Sequence, residues 1–229
     1  MGDKKQKEAM MKKVKQVLVI GACVLFVVLM IISGMGSGWL TMFTVVKPGD
    51  KVIVDYTFYD ISGNPLLTTN QQTYTQLAGQ GKSILFGRQL SVTPGVNLTK
   101  SLYPVQIYSS DSGWSQSFAI FGMEYDAIGQ NVIGMKTGDR KRVVLPNTSL
   151  TQSWSRETLI RNNVSMDLMN VGDSLAMGVS DKPQEMASNS SVTYTRIGEI
   201  TSKSADGIVI DFGYPYMDIT VTAINPTSS

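Results

Sequence analysis

The sequence predicts an α+β chain that is mostly β, preceded by one N-terminal transmembrane helix. Three observations predict it. Residues 17–32, VLVIGACVLFVVLMII, form a charge-free apolar run. Residues 132–146, VIGMKTGDRKRVVLP, read as a helix end, a tight turn and a buried strand. The segments from Lys51 to Tyr59 and from Ile219 to Ala223 alternate apolar and polar residues, the period of a half-buried strand.

At the front, six lysines (Lys4, Lys5, Lys7, Lys12, Lys13 and Lys15) stand against Asp3 and Glu8. Charge-free sequence then continues to Val46. About 20 apolar residues cross a bilayer as a helix. The expectation is a cytoplasmic basic tail over 1–15 and an uncleaved signal anchor over 16–40, with the lipid bilayer as partner. The positive-inside rule puts the N-terminus in the cytoplasm and the main domain outside, a single-pass membrane topology. The stretch from Ser33 to Gly38 lacks an A-x-A cleavage site, which argues against a cleaved signal peptide. Gly34 and Gly38 have the G-x-x-x-G spacing that packs two membrane helices, the basis for a homodimer.

Composition removes several chemistries. The single cysteine, Cys23, lies inside the apolar run, and histidine is absent. Ser-His-Asp and Cys-His catalysis and the common histidine metal sites are excluded. No phosphate loop or G-x-G-x-x-G occurs, and the chain after the basic tail carries a net charge of −2, so no nucleic-acid partner is expected. No cofactor and no metal are expected either.

The first strand runs from Lys51 to Tyr59, with Val52, Val54 and Tyr56 on one face. Ile61-Ser62-Gly63-Asn64 is a hairpin turn, and Leu66 and Leu67 resume the strand. Residues 70–123 are polar and turn-rich, an enlarged loop with short strands near 83–86, 105–108 and 118–121. Glu124 to Met135 is apolar at Tyr125, Ile128, Val132 and Met135, a short amphipathic helix. Gly138 supplies the positive φ that lets the chain reverse. Lys136 sits where a helix C-terminus favours a cation. Strands follow near 140–145, 171–177, 192–200 and 208–212, and the last covers 219–223.

Three of these stretches, in this order, resemble the FKBP-type peptidyl-prolyl isomerases, in particular their archaeal and prokaryotic SlyD-like branch. Gly49-Asp50-Lys51-Val52-Ile53-Val54-Asp55-Tyr56-Thr57 matches the family's G-D-x-V-x-V-x-Y-T. Gly134-Met135-Lys136-Thr137-Gly138-Asp139-Arg140 matches G-M-K-x-G-[ED]-[KR]. Ile210-Asp211-Phe212 followed by Pro215 is similar to its V-D-F-N-H-P segment. The resemblance covers most of 47–226, with a poor match between 70 and 123. It implies an antiparallel sheet wrapped on a short helix, built from 47–146 plus 211–226. It also implies an inserted β-rich flap domain over 147–210 that holds unfolded chains.

The resemblance places a substrate pocket on Tyr56, Leu66, Leu67, Tyr125, Ile128 and Ile219. Leu66 and Leu67 stand where the family has a phenylalanine and an aspartate, so an aromatic wall and a carboxylate are missing. Ile219 replaces a phenylalanine. The tyrosine of the family's alanine-tyrosine-glycine segment has no counterpart, with Trp154 its nearest substitute by position. Isomerisation needs no nucleophile: the barrier of about 20 kcal/mol is amide resonance, lowered by desolvating and twisting the bond. Two functional classes follow. One is a membrane-anchored extracytoplasmic prolyl isomerase and foldase acting on proline-containing or unfolded exported polypeptides. The other is a catalytically degenerate holdase or accessory subunit of a membrane complex. Four Asn-x-Ser/Thr triplets, at Asn97, Asn147, Asn163 and Asn189, are glycosylation candidates on the expected outer side.

Overall fold

Strand β1 (Val52–Tyr59) shows why a sheet forms: its burial alternates strictly, with Val52, Val54, Tyr56 and Phe58 inside. β-branched and aromatic residues at period two suit a pleated surface with one buried face. The computed structural model describes residues 2–34, 44–109, 113–146, 150–180 and 193–226. They fall into two compact units, 1–44 and 45–229.

The first unit holds helix α1 (Gly2–Gly34). Among the described residues no helix is long and apolar enough to cross a membrane. This corrects the fold class and the localisation expected from sequence: the anchor over 16–40, its bilayer contact and the single-pass topology are not carried forward. Residues 35–43, with Gly38 and most of the small-residue exit, lie outside the described residues.

The second unit is mostly β. Its strands form a 12-stranded sheet among the described residues, curled into a half-barrel. In chain order these are β1, β2 (Pro65–Thr68), β3 (Leu85–Gly87), β4 (Leu90–Val92), β5 (Leu102–Ser109) and β6 (Gly113–Phe121). Then come β7 (Arg140–Val144), β8 (Thr151–Ser155), β9 (Ser174–Val179), β10 (Tyr194–Lys203), β11 (Gly207–Asp211) and β12 (Tyr216–Ile224). The order across the sheet is β7-β12-β1-β2-β3-β5-β6-β10-β11-β8, with β4 beside β1 and β9 beside β10. Register shifts at Ile53/Val54, Ile107/Ser109 and Ile200/Ser202 add local twist, and bulges of this kind bend a sheet toward closure.

The sheet is mixed, not wholly antiparallel. Residues 70–123, expected as an enlarged loop, contain helix α2 (Gln71–Gly79) and four strands. The Asn70 side chain accepts from the Thr73 amide at 2.9 Å and starts α2. The helix carries β2 over to β3, which pairs with it in parallel, Leu67 beside Leu85. A parallel neighbour needs such a crossover. α2 buries no residue fully, so no apolar period marked it in the sequence.

Helix α3 (Gly122–Val132) is the expected amphipathic helix, starting and ending a few residues early. Ile128 and Val132 face the main core with Met135, and Gly134 at φ 82° terminates the helix. The turn after it is fixed by Gly138 at φ 91°, whose amide donates to the Val221 carbonyl at 2.7 Å. The Asp139 carboxylate accepts from the Lys136 amide at 2.8 Å.

Two hydrophobic clusters lie along the sheet. The larger joins Val52, Tyr56, Phe58, Ile128, Val143, Tyr214 and Ile219 with their neighbours. The smaller joins Leu159, Met166, Ile200, Ile208, Ile210 and Phe212. Around the smaller one, β9-β10-β11-β8 form four antiparallel strands, backed by helix α4 (Arg156–Arg161). They join the rest of the sheet through one parallel bridge, Thr195 to Phe118. β12 pairs with β1 and β7, returning the chain to the main sheet.

Candidate functional site

Of the six pocket positions taken from sequence, five are buried side chains of the main core. Tyr56 is 2% exposed, Leu66 6%, Leu67 0%, Ile128 0% and Ile219 1%. All five belong to the main core, and Tyr125 packs against its margin. The reason is β3. A Cβ added at Gly87 would stand 2.9 Å from the Tyr56 hydroxyl and 3.1 Å from Leu67 Cδ1, so this strand lies directly on both side chains. The Tyr56 hydroxyl donates to the Arg88 carbonyl at 3.0 Å, and burial pushes the phenol well above its usual value. The Tyr125 hydroxyl is also committed: it donates to the Ser91 carbonyl at 2.7 Å, and its ring stacks on Tyr103 at 4.0 Å between centroids. Its phenol is raised, first by burial and then by Tyr103. The segment that filled a gap in the sequence reading thus fills the concavity as well.

An open apolar concavity exists elsewhere. A cleft of about 1010 Å³ lies between β8, β9 and the end of α4. Its apolar walls include Trp154, Val164, Leu175, Met177, Leu102 and Phe121. β9 places Leu175, Met177 and Val179 on one face by simple alternation. On β8 only Trp154 is half-buried. Trp154, Val164, Leu175 and Met177 rest on the smaller core, which holds them from behind. The polar groups of the wall are Ser, Thr, Asn and Gln, and among the described residues no charged side chain lines it. Among the described residues β8 pairs only with β11 and β9 only with β10, so each keeps one backbone edge unpaired. An unpaired edge presents donors and acceptors to another extended chain.

A second cavity of about 780 Å³ adjoins it, with Val96, Leu98, Met123 and Leu150 in its wall. Both cavities are lined by Ser101 and Phe121. Phe121 is therefore a shared partition.

Sequence reasoning reached Trp154 by position only and missed Leu175, Met177 and Phe121. The alternation in 171–177 gave the strand, but which face stayed open depends on how far β8 and β9 curl apart. Among the glycosylation candidates, Asn97 and Asn163 are exposed, and Asn163 adopts φ 55°. Asn147 and Asn189 lie outside the described residues. Among the described residues no group of three acidic or cysteine side chains could hold a metal ion. No protein-family model matches the chain, and no curated protein matches it either.

Proposed function

We propose that the chain is a divergent FKBP-like holdase that binds extended, apolar segments of other polypeptides in the cleft between β8 and β9. The observation that carries this reading is the contrast between the two sites. At the positions where the resemblance implies a prolyl pocket, β3 lies on Tyr56 and Leu67, and Leu67 and Ile128 are fully buried, which supports a closed pocket. Among the described residues the cleft is large, apolar and uncharged, and both of its edge strands have an unpaired side. An isomerase must desolvate and twist one peptide bond, which needs an enclosed wall around a proline ring. A holdase needs only apolar area and backbone partners, at modest affinity. Burial contributes about 25 cal/mol per Å², and ordering a flexible client offsets much of that.

The test is a pair of assays on the purified chain. Aggregation of a chemically denatured client should be suppressed, and a proline-limited peptide assay should show the uncatalysed rate. Met177→Glu puts a charge into the uncharged cleft and should reduce client binding by about tenfold or more. Catalysed isomerisation that survives Met177→Glu, or client aggregation unaffected by the wild-type chain, would sink the reading.

A further inference from the structure

Between the two hydrophobic clusters lies a charged pair that belongs to neither. Arg196, on β10, is 0% exposed, and Glu124, in the first turn of α3, is 3% exposed. A buried guanidinium is tolerated only when its donors are paired. Here every nitrogen donates. Nη1 reaches the Ala119 carbonyl at 2.8 Å and Glu124 Oε2 at 2.9 Å. Nη2 reaches Glu124 Oε1 and, at 2.9 Å, the Phe212 carbonyl, which also accepts from Nε at 3.2 Å. Three rings enclose the guanidinium, with centroids 3.9 Å away for Tyr214, 4.3 Å for Phe121 and 5.4 Å for Phe118. Glu124 Oε2 in addition accepts from the Phe121 amide at 2.9 Å.

One side chain thus ties together the end of β6, the start of α3, β10 and the segment leading back to β12. Backbone pairing between β6 and β10 is a single bridge, and the ion pair adds to it beside the Tyr214 hydroxyl, which donates to the Ile197 carbonyl at 2.7 Å. Its most direct effect is on Phe121. That residue is held from its amide by Glu124 and from its ring face by Arg196, and it partitions the two cavities. Stability alone does not account for the arrangement. Replacing a buried ion pair by groups of similar volume is often neutral or stabilising, whereas removing one partner is costly.

We infer that Arg196 and Glu124 are positioning residues for the polypeptide cleft: together they fix Phe121 and so set the shape of the wall a client meets. This rests on the cleft reading above. The decisive variant is Arg196→Met with Glu124→Gln. The glutamine oxygen can still accept from the Phe121 amide, its NH2 can serve one of the two carbonyls, and Met fills the space between the rings. The double variant should melt within about 5 °C of wild type. Two readouts follow. The probe is a fluorescein-labelled unstructured peptide with alternating aliphatic residues, followed by anisotropy. Its affinity should fall by about tenfold or more. Three-bond couplings should show Phe121 χ1 in one rotamer in wild type and averaged in the variant. Should the double variant fail to fold, Arg196→Lys keeps the charge and loses the planar fork, and the same two readouts apply. Unchanged affinity in a folded variant, or a Phe121 rotamer that does not respond, overturns the inference. Failure of the wild type to bind the peptide would refute the cleft reading, and the Phe121 couplings would then decide the positioning role alone.

Discussion

Leu67 is an inward-facing side chain on β2, fully enclosed, with Leu85 as its cross-strand neighbour. The resemblance to FKBP isomerases places an aspartate there and a phenylalanine at position 66, and around an open pocket restoring both would raise catalysis. The packing argues the opposite. A carboxylate at 67 would be fully buried among apolar side chains. Such a burial costs several kcal/mol, comparable to the whole stability of a domain. Leu66→Phe with Leu67→Asp should therefore lose the cooperative thermal transition rather than gain isomerase activity. Circular dichroism melting decides it: a variant that melts like wild type would mean the core opens at this position.

At the scale of elements, the cleft depends on how β8 is seated. Gly207 on β11 pairs with Ser155 on β8, and a Cβ there would stand 2.2 Å from the Trp154 carbonyl and 3.0 Å from Ser155 Cα. Both obstacles are backbone atoms of the paired strand, which cannot rotate away as a side chain would. Gly207→Ala should push β8 off β11, at a cost of about 1–3 kcal/mol, and should loosen Trp154 from the smaller core. Hydrogen exchange is the measurement: amides of β8 should lose protection while those of β1 and β12 keep theirs. Uniform protection in the variant would show that the strands part without strain. The same element logic explains β3. Three residues long, it has little pattern of its own, yet its placement beside β2 closes the pocket.

At the scale of the whole molecule, stability near the acid limit is tied to the outer face of the main sheet. There Asp218 on β12 accepts from Arg142 on β7 at 2.7 and 2.9 Å and from the Tyr59 hydroxyl at 2.9 Å. The Arg142 hydrogen bond, ahead of that from Tyr59, holds the Asp218 carboxyl below its usual value. A folded-state pKa lowered in this way stabilises above the unfolded value, near 3.9, and the contribution is lost as pH falls through the folded one. The melting temperature should fall between about pH 5 and pH 2, and Asp218→Asn should flatten part of that fall. Both partners are partly exposed, so added salt should shrink the difference between the two chains. A fall of equal size in the variant would assign the acid sensitivity to other carboxylates.

The sequence by itself determined the local elements that carry a period or a turn residue. β1 and β12 alternate, α3 repeats apolar residues at three and four, and Gly134 and Gly138 force the reversal before β7. Each is set by neighbours within a few residues, so one stretch suffices to read it. What the tertiary structure decided lay beyond that range. β3 covers Leu67 from about 20 residues away and Tyr56 from about 30, through a helix with no fully buried residue. Arg196 finds Glu124 across 72 positions, and no local pattern marks either as paired. Which apolar residues become core and which become cleft followed from the curl of the sheet. That curl depends on bulges and edges, which are fixed only when all the strands are in place.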